Sequence, residues 1–239
     1  MDGDVGSYGC NAIACQQGTY SSTGRQSHDI SCEKCYDLED QPIIGSASCS
    51  DSSTEKGVLK ALYRKLGGKA WSKQENWMDD SKPICSWQGV YCEYGLDTDD
   101  VGISSLQLEA AGLVGAVPSV VFDLPWLERL NLKNNAISID FSNIGSAEKL
   151  ETLYLSNTNV ESLDKLSNAK NLKELHLTES KLHGPLTEVF DISSLESIYI
   201  AFNAFSGRIS PLIGSLTNLE YFYAVSKIST LFLQVQVAA

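Results

Sequence analysis

Leu150-Glu151-Thr152-Leu153-Tyr154-Leu155 carries the spacing L-x-x-L-x-L, and that spacing recurs on both sides of it. The registers open at Ile103, Leu127, Leu150, Leu172, Leu195 and Leu219, so successive units run 24, 23, 22, 23 and 24 residues. Five units are complete and a sixth is begun. Within each, the last two apolar residues lie two apart, as Leu153 and Leu155 do, and therefore face one side of a short strand. Three residues further on stand Ala111, Asn135, Thr158, Ser180 and Asn203, small or polar side chains suited to bonding turn backbone and closing a corner. A second apolar pair, Leu113 with Val117, Leu182 with Leu186 and Phe205 with Ile209, then turns the chain inward again. No single unit buries its apolar face alone, so neighbours must stack.

This period lies in the leucine-rich repeat range. The expected fold is an α/β solenoid, a right-handed superhelix with a parallel inner sheet over residues 103–224. A helical N-terminal cap is expected over 52–102, a small disulfide-rich module over 1–51, and a degenerate, truncated tail over 225–239. In the cap, Ser52 and Glu55 form a candidate capping box, Leu59, Leu62, Tyr63 and Leu66 share one helical face, and Gly67-Gly68 supplies the stop. Trp71, Asn76 and Trp77 follow, then Cys85-Ser86-Trp87-Gln88-Gly89-Val90-Tyr91-Cys92.

That run resembles the N-terminal cap of plant-type leucine-rich repeat proteins, which read C-x-W-x-G-V-x-C after a helix and an N-W pair. The resemblance implies a Cys85 to Cys92 disulfide locking a lid over the open apolar end of the solenoid. Packing, rather than ligand stacking, is then the role of Trp71, Trp77 and Trp87. Leu113-Val114-Gly115-Ala116-Val117-Pro118 matches the family's L-x-G-x-[IL]-P signature, and the stretches from Leu182 and Phe205 are near copies with the proline replaced. Repeats two and three, at 137–141 and 160–163, lack the glycine and are expected to depart from the family's second short strand.

Residues 1–51 hold five cysteines, Cys10-x4-Cys15-x16-Cys32-x2-Cys35-x13-Cys49, with Gly18-Thr19-Tyr20-Ser21 after the second. Such a polar stretch builds no core without cross-links. It resembles the small cysteine-rich modules of ephrin-receptor and tumour-necrosis-factor-receptor type. By that likeness Cys15 pairs with Cys32 and Cys35 with Cys49, leaving Cys10 for a partner upstream of Met1. The rival reading takes Cys10, Cys15, Cys32 and Cys35 as zinc ligands, with His28 a substitute. A tetrahedral site of that kind uses two close pairs and only Cys32 with Cys35 has the two-residue gap, so neither metal nor cofactor is expected. The cap preceded by this module is similar to microalgal, diatom-like surface leucine-rich repeat proteins.

Thirty acidic against eighteen basic residues leave a net charge of -12. With no basic cluster, nucleic acid and an anionic membrane face are poor partners. The apolar stretch at 228–239 is broken by Ser229, Thr230, Gln234 and Gln236, too short and polar to span a bilayer. Met1-Asp-Gly-Asp-Val-Gly-Ser-Tyr has neither the charged nor the apolar region of a signal peptide, yet seven cysteines suit an oxidising compartment. The chain therefore reads as a fragment, or a misassigned start, of a longer secreted or membrane-anchored protein, extracellular or at the cell surface. Past residue 225 the repeat pattern is lost, which predicts an open solenoid end.

The x positions of L-x-x-L-x-L point to solvent on the inner curve, where strands roughly 4.8 Å apart make six rungs about 24 Å across. One column reads Gln107, Asn131, Tyr154, His176, Tyr199 and Tyr223, and its neighbour Ser105, Arg129, Thr152, Glu174, Ser197 and Tyr221. Aromatic side chains gathered on one face suit an interface, so Arg129, Tyr154, His176, Tyr199, Phe202, Tyr221 and Tyr223 are the candidate ligand-binding residues. Cross-strand pairing alone would also favour tyrosine at such positions. His28, His176 and His183 have no nucleophile at a recognisable elbow, and phosphate-loop, metalloprotease and kinase motifs are absent, so no catalytic residue is expected. Asp97-Thr98-Asp99-Asp100 lacks calcium-loop spacing and reads as a solvated turn.

The function expected is non-enzymatic recognition of a protein or peptide, as the ligand-binding ectodomain of a receptor or adhesion protein. The alternative is a secreted inhibitor of a wall-degrading enzyme, or a structural extracellular protein, because such inhibitors share L-x-G-x-I-P repeats. No nucleic acid and no direct membrane contact are expected, and the sequence sets no oligomeric state.

Overall fold

A computed structural model describes residues 55–95, 101–206 and 210–225, together with the backbone of short strands at 13–14, 19–20, 25–26, 33–34 and 232–236. Two compact units, Met1–Ala61 and Leu62–Ala239, divide the chain inside its first helix, Glu55–Lys65. In the first unit Ile13–Ala14 pairs antiparallel with Arg25–Gln26, and Thr19–Tyr20 with Glu33–Lys34. Cys10, Cys15, Cys32, Cys35, Cys49, His28, Ser52 and the acidic run 97–100 lie outside the described residues.

The second unit is organised by one eight-stranded sheet. Six parallel rungs, Val101–Gln107, Arg129–Asn131, Thr152–Tyr154, Glu174–His176, Ser197–Tyr199 and Tyr221–Val225, follow one another in chain order. The register stacks Leu106, Leu130, Leu153, Leu175, Ile198 and Phe222 one above the next. All six are buried, as are the flanking apolar residues of the motif from Ile103 to Leu219. This is the leucine-rich repeat solenoid: each coil hides its aliphatic side chains against the next and turns its x positions inward along the curve.

Corners are held by the polar column. Asn135 Nδ2 donates to the carbonyls of Leu132 in its own coil and Leu108 in the coil before, at 2.9 and 2.8 Å. Its Oδ1 accepts from the backbone N–H groups of Gly112 and Leu113. Asn203 repeats the arrangement, donating to Ile200 and Leu177 and accepting from Leu182. Thr158 and Ser180, with one hydroxyl each, both donate to the Leu155 carbonyl. One residue earlier in each coil, Ala110, Asn134, Asn157, Glu179 and Phe202 take φ between 50 and 60°. Each sends its backbone N–H to a carbonyl of the following coil.

At the N-terminal edge Val90–Tyr94 pairs antiparallel with the first rung. Cys85 and Cys92 form a disulfide. Gly89 has φ of 85°, and a Cβ there would lie 2.6 Å from the Gln107 carbonyl oxygen, which explains glycine in the cap motif. Trp71, Trp77 and Trp87 are buried and touch ring to ring, as the cap reading expects. Tyr63 stacks on Trp77 and meets Trp71 edge-on.

Two expectations need correction. Repeat two lacks the glycine but keeps the outer strand: Ala136–Ile139 pairs parallel with Val114–Val117. Alternation of buried Ile137 and Ile139 with exposed Ala136 and Ser138 suffices to hold it. Repeat three has no such strand, and His183–Gly184 pairs with Ala204–Phe205 further on. The sheet does not stop at the sixth rung either, because Phe232–Gln236 pairs antiparallel with Tyr221–Val225 across five residues.

The asparagine corners yield a stability prediction. Asn135→Ala strands two N–H groups and two carbonyls and should cost on the order of 3 kcal/mol, against about 1 kcal/mol for Thr158→Ala. Thermal melts of the two variants test this; equal losses would show that the corner bonds contribute nothing beyond shape.

Candidate functional site

The inner face is built by the six rungs, flanked in the same sheet by the backbone of Val90–Tyr94 at one edge and Phe232–Gln236 at the other. Their register puts Gln107, Asn131, Tyr154, His176, Tyr199 and Tyr223 in one column, and Ser105, Arg129, Thr152, Glu174, Ser197 and Tyr221 in the next. Both columns form as the L-x-x-L-x-L spacing requires, since inward aliphatics force the residues between them outward.

Within the first column the side chains make two blocks. Asn131 donates to Gln107, and Gln107 donates to Ser105, so the N-terminal block is a neutral amide ladder. The second block is a ring stack: His176 lies 4.2 Å from Tyr199 at an interplanar angle of 20° and 4.4 Å from Tyr154 at 53°. Tyr223 takes the next register place beyond Tyr199 and, like Tyr221 beside it, is exposed. Phe202 stands apart from both columns, half-buried at the left-handed corner after the fifth rung. Arg129 is also exposed, and its guanidinium lies 3.7 Å from Glu93 of the cap strand and from Glu128.

Glu174, absent from the sequence-based candidates, ties the stack together. Its carboxylate accepts from the Tyr154 hydroxyl at 3.0 Å through Oε2 and meets His176 Nε2 at 2.7 Å through Oε1. Spacing makes Glu174 or Glu179 a possible neighbour of His176, a pair that reads as a solvated surface contact; the second bond, across one rung to Tyr154, is what spacing does not announce. Burial pushes His176 below the ordinary 6.5, overcoming the opposing pull of Glu174, and Lys133 adds to the lowering. At neutral pH the contact is therefore a hydrogen bond from a neutral imidazole, not an ion pair. An ionised carboxylate only accepts, so the proton sits on Nε2 and Nδ1 is an acceptor. Burial, together with the hydrogen bond to Glu174 and its charge, pushes Tyr154 up to about 12.

A third column runs along the lip where the strands begin: Glu128, Glu151, Lys173, Glu196 and Glu220. Each residue's N–H bonds to the carbonyl of the one before it. Lys173 Nζ is 2.7 Å from Glu151, and that contact holds the ammonium pKa above its ordinary value. Four carboxylates against one ammonium leave the lip acidic. Among the described residues no group of three or more His, Cys, Asp and Glu is placed to hold a metal, and no helix is long and apolar enough to cross a membrane.

These shifts predict two limbs of pH dependence. The unfolded chain protonates His176 near 6.5 while the folded chain resists, so its contribution to stability is present above 6.5 and is lost as pH falls through the folded value. Tyr154 contributes below pH 10.0, and that is lost as pH rises through about 12. Nitrogen-detected NMR should place the His176 midpoint below 6.5, and lower still in Glu174→Gln; a midpoint above 6.5 contradicts the account.

No family model and no curated protein matches the sequence. Solved structures do. The chain is similar to the LRR ectodomain of the receptor kinase SOBIR1 from Arabidopsis thaliana, with 27% identity, 71% of this chain and 89% of that chain covered, and a TM-score of 0.57. It is similar to a chain of the BIR3–SERK2 complex from Arabidopsis thaliana, at 24% identity, covering 71% and 92%, with a TM-score of 0.59. A third is the Arabidopsis receptor kinase HAESA in complex with the peptide hormone IDA and the co-receptor SERK1, at 23% identity, covering 74% and 33%, with a TM-score of 0.51. With the stacked rungs already described, these likenesses identify the fold as a leucine-rich repeat solenoid of the kind found in plant receptor ectodomains.

Proposed function

We propose that this protein is a non-enzymatic recognition module that binds a protein or peptide on the inner face of its solenoid, as the ectodomain of a cell-surface receptor or adhesion protein. The observation that carries the reading is the ring column Tyr154–His176–Tyr199, continued in register by exposed Tyr223. Preordered aromatic side chains bury large area at little entropic cost, and here they are fixed by stacking and by Glu174 before any ligand arrives. The similarity to an Arabidopsis receptor ectodomain along most of that chain's length supports the same reading.

Catalysis is disfavoured by the chemistry of the site. Glu174 and His176 resemble an acid–base pair, yet they hold each other and Tyr154, and among the described residues no hydrogen bond joins the hydroxyls flanking Glu174, on Thr152 and Ser197, to His176. Their arrangement suits a rigid surface better than a reacting one.

The test is selection of a random twelve-residue peptide library on the immobilised protein, followed by binding of the enriched peptides to a triple variant, Tyr154→Ala with His176→Ala and Tyr199→Ala. Affinity should drop at least tenfold, while Glu161→Ala on the outer side leaves it unchanged. Circular dichroism checks that the triple variant stays folded. Enriched peptides that bind the triple variant as tightly as the parent would sink the reading.

A further inference from the structure

We infer that the C-terminal end of the inner face, formed by Tyr199, Tyr221 and Tyr223 with Glu196 and Glu220 on the lip, takes the side chain of an arginine or lysine from a protein or peptide ligand. The inference rests on the reading that the inner face is the docking surface, and it names the chemistry of what docks.

The ring stack has two ends. His176 lies between the other two rings, stacked on Tyr199 and tilted against Tyr154, so the stack offers its ends. At the N-terminal end the chain supplies its own cation: Lys133 Nζ sits 5.8 Å from the Tyr154 ring centroid and 3.3 Å from the Glu109 carboxylate. That end is a filled cation site, ring face on one side and carboxylate on the other. Its chemistry shows what this scaffold does with an aromatic face on the inner curve.

Among the described residues the C-terminal end has a free ring face and no cation, and its carboxylates lie on the lip where the strands begin rather than at the Glu109 and Lys133 register. Tyr199 is stacked on His176 at 20°, so its second face looks along the ladder toward the Tyr223 position. Tyr221 and Tyr223 remain 49% and 36% exposed. The positions equivalent to Lys133 in rungs five and six are Ala201 and Val225, which carry no charge. Between residues 195 and 225 the sequence contains one basic residue, Arg208, which lies outside the described residues. Glu196 and Glu220 are exposed and adjacent along the lip, linked by the backbone bond from Glu220 N–H to the Glu196 carbonyl at 2.8 Å. The nearest lip cation, Lys173, is engaged by Glu151 at 2.7 Å.

Charge complementarity therefore selects a cation. Two carboxylates beside three tyrosines match a guanidinium or ammonium whose apolar stem lies along the rings. An extended peptide advances roughly 3.3 to 3.6 Å per residue, so about seven residues would follow the rungs and bring one such side chain to this end.

The experiment uses the full chain and two acetylated, amidated probes, Gly-Gly-Ser-Arg-Ser-Gly-Gly and the same peptide with neutral citrulline in place of arginine. NMR should show saturable shifts of the Tyr199, Tyr221 and Tyr223 ring signals with the arginine peptide, bound at least about tenfold tighter than the citrulline peptide. Raising salt from about 50 to about 300 mM should weaken binding several-fold. Tyr221→Ala with Tyr223→Ala should abolish it, Glu196→Gln with Glu220→Gln should weaken it several-fold, and Lys133→Met should leave it unchanged. Equal binding of the two probes, survival of binding in the double tyrosine variant, or no shift up to about 10 mM peptide would each overturn the inference. Library-selected peptides that need Tyr154, His176 and Tyr199 but lack arginine and lysine would overturn this inference alone, leaving the inner-face reading in place.

Discussion

Everything this chain presents to a partner depends on one aliphatic stack, Leu106, Leu130, Leu153, Leu175, Ile198 and Phe222, buried rung upon rung. Burying each such side chain is worth about 1.5 to 3 kcal/mol, but the gain exists only while the neighbouring coil is in place. Because side chains alternate along a strand, fixing the aliphatics fixes the residues between them. A one-residue slip in any rung would remove Tyr154, His176 or Tyr199 from the inner face. The solenoid thus links stability to presentation: the force that stacks the coils also aligns the rings.

A stack of polar corners supports this, and it explains why the coils are not interchangeable. Asn135 and Asn203 each reach two coils, whereas Thr158 and Ser180 converge on the single carbonyl of Leu155. The middle of the solenoid is therefore less tightly clamped at its corners than the second and fifth repeats, and it is there, in the third repeat, that the outer strand is missing. The inner ladder runs through this region without interruption, so the face is continuous where the back is not.

Much of this was legible from residue spacing. The rung register, both inner columns, the buried cap tryptophans and the Cys85–Cys92 bond follow from period, alternation and the cap motif, because each reflects a constraint repeated several times along the chain. What escaped was singular. Ala136–Ile139 forms an outer strand through its own Ile137 and Ile139 alternation, with no glycine to announce it. Phe232–Gln236 pairs in the opposite direction to the rungs, so the repeat pattern carries no trace of it. Glu174 is a possible neighbour of His176 by spacing alone, but its bond to Tyr154 appears only when the fold sets the two diagonally across a rung.

The left-handed corner column adds a final constraint on where the face is specialised. Asn134 and Asn157 adopt this backbone conformation at modest cost, but a bulky residue there is strained by roughly 1 to 2 kcal/mol, and Phe202 occupies the corner after rung five with φ of 59°. An asparagine would satisfy the corner more cheaply. The aromatic ring therefore sits where local backbone preference opposes it, at the rim of the end that also carries Tyr199, Tyr221 and Tyr223. Strain of this kind persists only where the surrounding coils impose it, and Phe202 is tied by its N–H to Val225 of the next coil. Aromatic enrichment at this end is thus more than a by-product of strand propensity, since strand pairing favours tyrosine within the rungs but offers no reason for phenylalanine at a left-handed turn.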